Sequence, residues 1–288
     1  MSGSASMPFR KMNGLGNDFV VLDARTHPVA LGADEVRRIG DRSRGIGCDQ
    51  VIVMEPSQKA DVFMRIFNAD GSEVGACGNA ARCVALLAAE ETGRSKVSIE
   101  TSSGLLSAEV KGADRITIDM GKPRFAWNEI PLAEPFHDTT GIELQIGPID
   151  APVLHSPSVV NVGNPHAIFW VSDVYAHELA RFGPLLENHP VFPERANISL
   201  AQVTSRSGLR VRTWERGAGL TRACGTAACA AAVAAARKGL TGRKVTVELP
   251  GGVLFIDWAD NDHILMCGPA ELEFEGTLEP DTLSRAPV

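Results

Sequence analysis

Two cysteines carry the most chemistry in this sequence. Cys77 opens CGNAARC and Cys224 opens CGTAACA, and each stands directly before an Ala-rich segment of helical character. The start of a helix offers unpaired N–H groups and the positive end of a dipole, which favour an anion. A cysteine placed there has a lowered pKa and is available as a thiolate. Gly78 and Gly225 beside the cysteines let a ligand approach the backbone closely. Each segment therefore joins one acid/base thiol to amide donors suited to a carboxylate. A lone cysteine beside a helix start is also commonly a small buried apolar residue. Cys83 and Cys229, inside their helices, fit that description, and Cys48 and Cys267 also read as packing residues.

Cys77 and Cys224 differ because they recur within an internal repeat. They stand 147 positions apart, and the same offset maps Gly16-Asn17 onto Gly163-Asn164. It also maps Gln50 onto Asn197, Arg65 onto Arg212 and Asn68 onto Glu215. Further on, SIETSSGLL (98–106) resembles TVELPGGVL (246–254) with the offset slipped by one.

The elements that must position these residues repeat as well. Alternating strands are predicted at Phe19–Leu22 and Ala167–Val171. A second strand in each half carries Phe63, Ile66 and Phe67, or Leu209, Val211 and Trp214. Turn-rich loops follow, with Asp70 as a turn residue. Then come helices from Gly78 to Thr92 and from Gly225 to Lys238, stopped by Gly93 and Gly239 as C′ residues. Few positions on either helix are charged, which predicts helices enclosed on most sides. Strands return at Val97–Glu100 and Leu105–Val110, and at Val245–Leu249 and Val253–Asp257. A short helix is expected over Asp34–Arg44, with Arg42 and Arg44 as solvated ends. The Pro- and Gly-rich segment Pro123–Pro157 reads as the connection between halves.

A duplicated fold with a pseudo-twofold axis sets equivalent sites facing each other. Two thiols on opposite sides of one carbon act as base and acid. One removes the Cα proton and the other delivers a proton to the opposite face, inverting the centre. Amide donors of both helices would hold the α-carboxylate and stabilise the charge that builds on it.

The blocks KMNGLGNDFVVLD, IFNADGSEVGACGNAARC, VGNPH, ERANI and ERGAGLTRACGTAACAAA, in this order from about Phe9 to Pro269, closely resemble the diaminopimelate epimerase family. The resemblance implies an α/β (α+β) fold of two pseudo-symmetric domains, each a mixed, mostly antiparallel sheet wrapped around a central helix, with the active site in the cleft between them. It assigns residues 1–124 to the N-terminal half and 125–269 to the C-terminal half, with the tail 270–288 packing back on the former. It implies interconversion of LL- and meso-2,6-diaminopimelate, a step of lysine and peptidoglycan precursor biosynthesis, with no cofactor, neither pyridoxal phosphate nor metal. By motif, Cys77 and Cys224 are catalytic. Gly78, Asn79, Gly225 and Thr226 bind the reacting carboxylate, and Asn17, Gln50, Asn68, Asn164, Asn197, Glu215 and Arg216 line the pocket. His166 and Glu215 resemble residues that tune the thiol pKa values. Arg216 suits a distal carboxylate as a planar fork, and Glu215 with the Asn oxygens suits an ammonium. Ala80 and Ala227 stand where glycine is common in the family, and Leu220 where glutamate is frequent. Phe274 falls near a C-terminal aromatic position, often Tyr, associated with dimerisation in relatives, and a homodimer is expected. Two alternatives remain at this stage: a proline or hydroxyproline racemase of the same superfamily, and a thiol-redox protein.

Other classes are disfavoured. The composition is 44% hydrophobic and 22% charged with a net charge of −7, which is globular and lacks the basic face that nucleic acid or anionic membrane requires. The first eight residues do not form a signal peptide, and no apolar run is long enough to cross a membrane. The six cysteines show neither a C-x-x-C pair nor a zinc pattern, so a cytoplasmic protein with reduced thiols is expected. NGLGND and RGIGCDQ do not complete G-x-G-x-x-G, and no P-loop or H-E-x-x-H occurs.

Overall fold

The Ala-rich segments fold as the two longest helices of a computed structural model that describes residues 6–278. We number the helices α1 (Ala33–Gly40), α2 (Gly78–Thr92), α3 (Leu179–Glu187) and α4 (Gly225–Arg237). The chain divides into two compact units. Of the described residues the first takes 6–118 and 268–278, and the second takes Asp119–Cys267.

In the first unit the strands lie in the order Glu271–Leu278, Met7–Gly14, Asn17–Asp23, Gln50–Glu55, Val62–Asn68, Lys96–Thr101 and Gly104–Val110. Neighbours are antiparallel except at two places, where Asn17–Asp23 meets Gln50–Glu55 and where Val62–Asn68 meets Lys96–Thr101. The second unit runs Ser158–Asn161, Pro165–Trp170, Asn197–Ser205, Gly208–Glu215, Lys244–Leu249, Gly252–Trp258 and Ile264–Gly268, parallel at the two corresponding steps, Pro165–Trp170 with Asn197–Ser205 and Gly208–Glu215 with Lys244–Leu249. The likeness extends to single residues. Phe19 lies opposite Gln50 and Gln50 opposite Asn68, while His166 lies opposite Asn197 at the matching position. Val62 pairs with Ile99 as Leu209 pairs with Val247, so the one-residue slip seen in the sequence falls between the two strands of this ladder. A one-residue slip within a strand would turn every side chain to the other face. The slip is absorbed outside the strands, and the facing is kept.

Each sheet curls around its long helix. Every residue of α2 from Asn79 to Ala89 is buried, as is every residue of α4 from Ala227 to Ala235. A helix apolar on all sides needs such a setting. Small side chains let α4 touch strands on several sides of it, from Ser158–Asn161 to Gly252–Trp258. Gly93 ends α2 in the left-handed region at φ 67° and donates its N–H to Ala89 O. Gly239, at φ 69°, follows α4, which closes one residue earlier than the sequence suggested.

Two expectations are corrected. The first short helix ends at Gly40, not Arg44, because Asp41 Oδ1 accepts the N–H groups of Ser43 and Arg44 and turns the chain. The segment Pro123–Pro157 is not merely a connection. Its Ile130, Leu132, Ile142 and Leu144 are buried in the core of the second unit with Phe169, Leu179 and Ile198.

Candidate active site

Each reactive-cysteine candidate is the N-cap of its helix. Cys77 (φ −149°) precedes α2 and Cys224 (φ −132°) precedes α4, both in extended backbone. All six cysteines are thiols. Gly78-Asn79 and Gly225-Thr226 thus fall in the first turns, where backbone N–H groups have no intrahelical acceptor.

In the first unit, the hairpin turn at Leu15-Gly16 (φ 65° and 88°) delivers Asn17 at the start of its strand. Asn17 Oδ1 accepts from Asn79 Nδ2 at 2.5 Å, and Asn17 Nδ2 donates to Asp49 Oδ2 at 3.1 Å. Asn79 Oδ1 accepts from Arg82 Nη2 at 3.0 Å. The fit is tight: a Cβ on Gly14 would lie 2.9 Å from Asn79 O. Gln50 Nε2 donates to Asn68 Oδ1 at 3.0 Å, and Asn68 Nδ2 to Ser72 Oγ. Beneath Asn17 sits a charged cluster that sequence reasoning missed. Arg42, solvent-exposed as expected, also bridges Asp18 and Asp49 at 2.7–2.8 Å, and Lys11 binds Asp18 at 2.6 Å and Gly47 O. Burial alone would raise the Asp18 pKa, but Arg42 and Lys11 hold it well below the usual carboxylate range. Asp49 directly precedes the recognised Gln50, and that adjacency was its only sequence signal.

In the second unit, His166 is fully buried and its Nε2 lies 2.8 Å from Asn164 Oδ1. Its Nδ1 is buried with no hydrogen-bond partner among the described residues. Burial, with the Arg216 charge adding, pushes its pKa down to about 3, so the imidazole is neutral. Asn197 Oδ1 accepts the Arg216 N–H at 2.9 Å, and Arg216 Nη1 donates to Glu194 O. The turn after Glu215 is held by Glu187, the last residue of α3. Its carboxylate accepts from Trp214 Nε1 (2.7 Å), Gly217 N (3.0 Å) and Arg195 Nη1 (3.2 Å). Glu187 was also missed, and its repeat counterpart Gly40 gave no signal.

Glu215 accepts from Thr221 Oγ1 at 2.5 Å, and Cys224 Sγ lies 3.4 Å from Thr226 Oγ1. Burial raises the Glu215 pKa against the hydrogen bonds from Thr221 and Cys224. Cys224 departs from the expectation of a lowered pKa. It is 5% exposed, and burial together with the Glu215 charge raises its pKa well above that of a free thiol. Desolvation outweighs the helix terminus here. Cys48 and Cys83 are pushed up to about 11 and about 12 by burial, as fits packing residues. Among the described residues there is no cluster of ligating side chains for a metal and no helix long and apolar enough to cross a membrane.

The duplicated helix-in-sheet fold is that of a known class. A phenazine biosynthesis protein of the PhzF family from Bacillus anthracis matches with a TM-score of 0.67 at 18% identity, over 96% of this chain and 99% of its own. A hydroxyproline epimerase from Agrobacterium vitis, solved with trans-4-hydroxy-L-proline, matches with a TM-score of 0.67 at 15% identity, over 98% and 94%. These likenesses define the fold alone. Sequence goes further: residues 9–126 and 158–273 match diaminopimelate epimerase, one segment for each half. The Rhodopseudomonas palustris (strain BisB18) diaminopimelate epimerase is 55% identical over 99% of both chains, and that of Brucella anthropi is 56% identical over 95% and 92%. The chain belongs to the diaminopimelate epimerase family, and it is an enzyme.

Proposed function

We propose that this chain interconverts LL- and meso-2,6-diaminopimelate by a two-base exchange between Cys77 and Cys224. The observation that carries the reading is the recurrence of an N-cap thiol at matching positions of two units with the same strand register. In one direction the Cys77 thiolate takes the Cα proton, and the electron pair passes into the carboxylate as an enediolate. The Cys224 thiol then delivers its proton to the opposite face. Product leaves with Cys77 protonated and Cys224 as thiolate, ready for the reverse direction. The raised pKa of Cys224 supports its role as the proton donor in this state. The N–H groups of Gly78, Asn79, Gly225 and Thr226 would hold the reacting carboxylate. Arg216 and Glu215, with Asn17, Gln50, Asn68, Asn164 and Asn197, would receive the remaining head groups. His166 and Glu215 would set the protonation of the second-half thiol.

The reaction so described needs only these side chains, and six thiols suit a reducing, cytoplasmic setting. A homodimer is proposed through the strand Glu271–Leu278, where Leu272 and Phe274 are exposed. The test is incubation of reduced enzyme with LL-diaminopimelate or L-proline in deuterated water, followed by chiral chromatography and mass spectrometry. Formation of the meso isomer with one Cα deuteron is expected. Turnover of proline alone, or disulfide cycling without Cα exchange, overturns the reading.

A further inference from the structure

An amide side chain has a donor end and an acceptor end, and a 180° flip exchanges them with almost no change of shape. A substrate-facing asparagine is therefore a reliable donor only where something fixes its flip. In the first unit four side chains form one directed line. Arg82 Nη2 donates to Asn79 Oδ1 (3.0 Å), Asn79 Nδ2 donates to Asn17 Oδ1 (2.5 Å), and Asn17 Nδ2 donates to Asp49 Oδ2 (3.1 Å). A guanidinium without acceptor capacity stands at one end and a carboxylate without donor capacity at the other. Flipping either asparagine would set donor against donor and acceptor against acceptor. Asp49 is itself fixed by Arg42 and by the Asp18 N–H. Arg82 is fully buried, so its charge is costly to keep without a specific task.

We infer that Arg82 and Asp49 are positioning residues that lock the flip states of Asn79 and Asn17, so that Asn17 keeps its second side-chain N–H for the substrate. The inference rests on the proposed role of Asn17 in binding. The line belongs to the first half alone, because the repeat counterparts of Asp49 and Arg82 are Ala196 and Cys229. A simpler task for Arg82 would be to fasten the tail, since its Nε also donates to Pro269 O at 3.0 Å. That task would not involve Asp49.

The test is a double-mutant cycle of Arg82→Met and Asp49→Ala on LL-diaminopimelate turnover, with Arg82→Lys as the conservative variant and circular dichroism melts of each. Each single change should lower kcat/KM about 10- to 100-fold, the range of one lost charge-assisted hydrogen bond. The effect should fall mainly on kcat, and Arg82→Lys should recover most of it. The double variant should be no worse than the poorer single one, because either break frees the line. Multiplicative losses in the double variant overturn the inference. A second measurement needs neither turnover nor substrate: the side-chain amide proton resonances of Asn17 and Asn79. Asp49→Ala should shift the Asn79 signals, one asparagine away, and Arg82→Met those of Asn17. If neither remote signal moves, the line does not exist, whatever the substrate. If both move while the wild-type enzyme ignores diaminopimelate, the functional reading fails and the locked amides stand.

Discussion

His166→Phe should remove a large part of the acid sensitivity of the second unit. The substitution is one the fold already accommodates, since Phe19 occupies the matching place in the first unit, opposite Gln50 as His166 is opposite Asn197. The folded-state pKa of His166 is about 3, against 6.5 for an unperturbed imidazole. The unfolded chain therefore binds the extra proton first, so stability falls as pH falls through the window from 6.5 to 3. From these two values the destabilisation is only ~0.2 kcal/mol at pH 7 and grows to about 2 kcal/mol at pH 5. Glu215, with its raised pKa, acts in the opposite sense, because acid relieves the strain of its buried charge. The difference between wild type and His166→Phe cancels that contribution. The assay is urea unfolding followed by tryptophan fluorescence at pH 7 and pH 5. All four tryptophans, residues 127, 170, 214 and 258, lie in the second unit, so the signal reports that unit alone. The variant loses the bond to Asn164 at every pH, but only the pH-dependent part tests the reasoning. The wild-type advantage should shrink by about 2 kcal/mol between pH 7 and 5. A change below about 0.5 kcal/mol would refute the neutral, desolvated imidazole.

Cys77→Ala and Cys224→Ala should each reduce epimerisation below ~1% of wild type, because inversion needs a proton acceptor and a donor on opposite faces. Near-wild-type activity in either variant refutes the two-thiol mechanism. Glu215→Gln removes the charge that, after burial, raises the Cys224 pKa. Iodoacetamide labelling of Cys224 in a Cys77→Ala background should then reach half-maximal rate at a lower pH, and an unchanged or higher midpoint would contradict the electrostatic account. Gly183→Ala places a Cβ 2.4 Å from the Trp214 ring, which α3 and its strand can relieve only by moving apart. A loss of about 1–3 kcal/mol is expected from tryptophan-monitored unfolding. Unaltered stability would show that α3 is free to shift.

The long helices, their caps and the repeat were legible because they depend on local composition and on glycine stops. Strand partners were not. Parallel pairing of Asn17–Asp23 with Gln50–Glu55 joins segments separated by α1, and no local pattern encodes it. The residues recognised by motif lie mostly on strand ends and helix starts. The residues that hold them in place were hidden. Arg42 and Glu187 act through folding contacts with sequence-distant groups, and a charged residue near a helix end ordinarily reads as solvated. The raised pKa of Cys224 was also out of reach, since a helix start predicts the opposite sign and burial, with the Glu215 charge adding, reverses it.

The same register carries different chemistry in the two units, and the difference has a direction. Around Asn17 the first unit gathers hydrogen-bonded ion pairs, with Lys11 on Asp18 and Arg42 on Asp18 and Asp49, and sets Arg82 on Asn79. Such groups fix the amides they touch. In the second unit burial pushes three groups toward neutrality: an imidazole held deprotonated, a carboxyl with raised pKa and a thiol with raised pKa. A side biased toward the neutral thiol is the side that gives a proton in the proposed reaction. Equal halves would make the two thiols equivalent, and a substrate with one reacting and one spectator head group offers no matching symmetry. Because the strand register is kept, exchanging Phe19 for His166 or Asn68 for Glu215 between the halves changes which proton states are favoured while the backbone that aims each thiol stays the same.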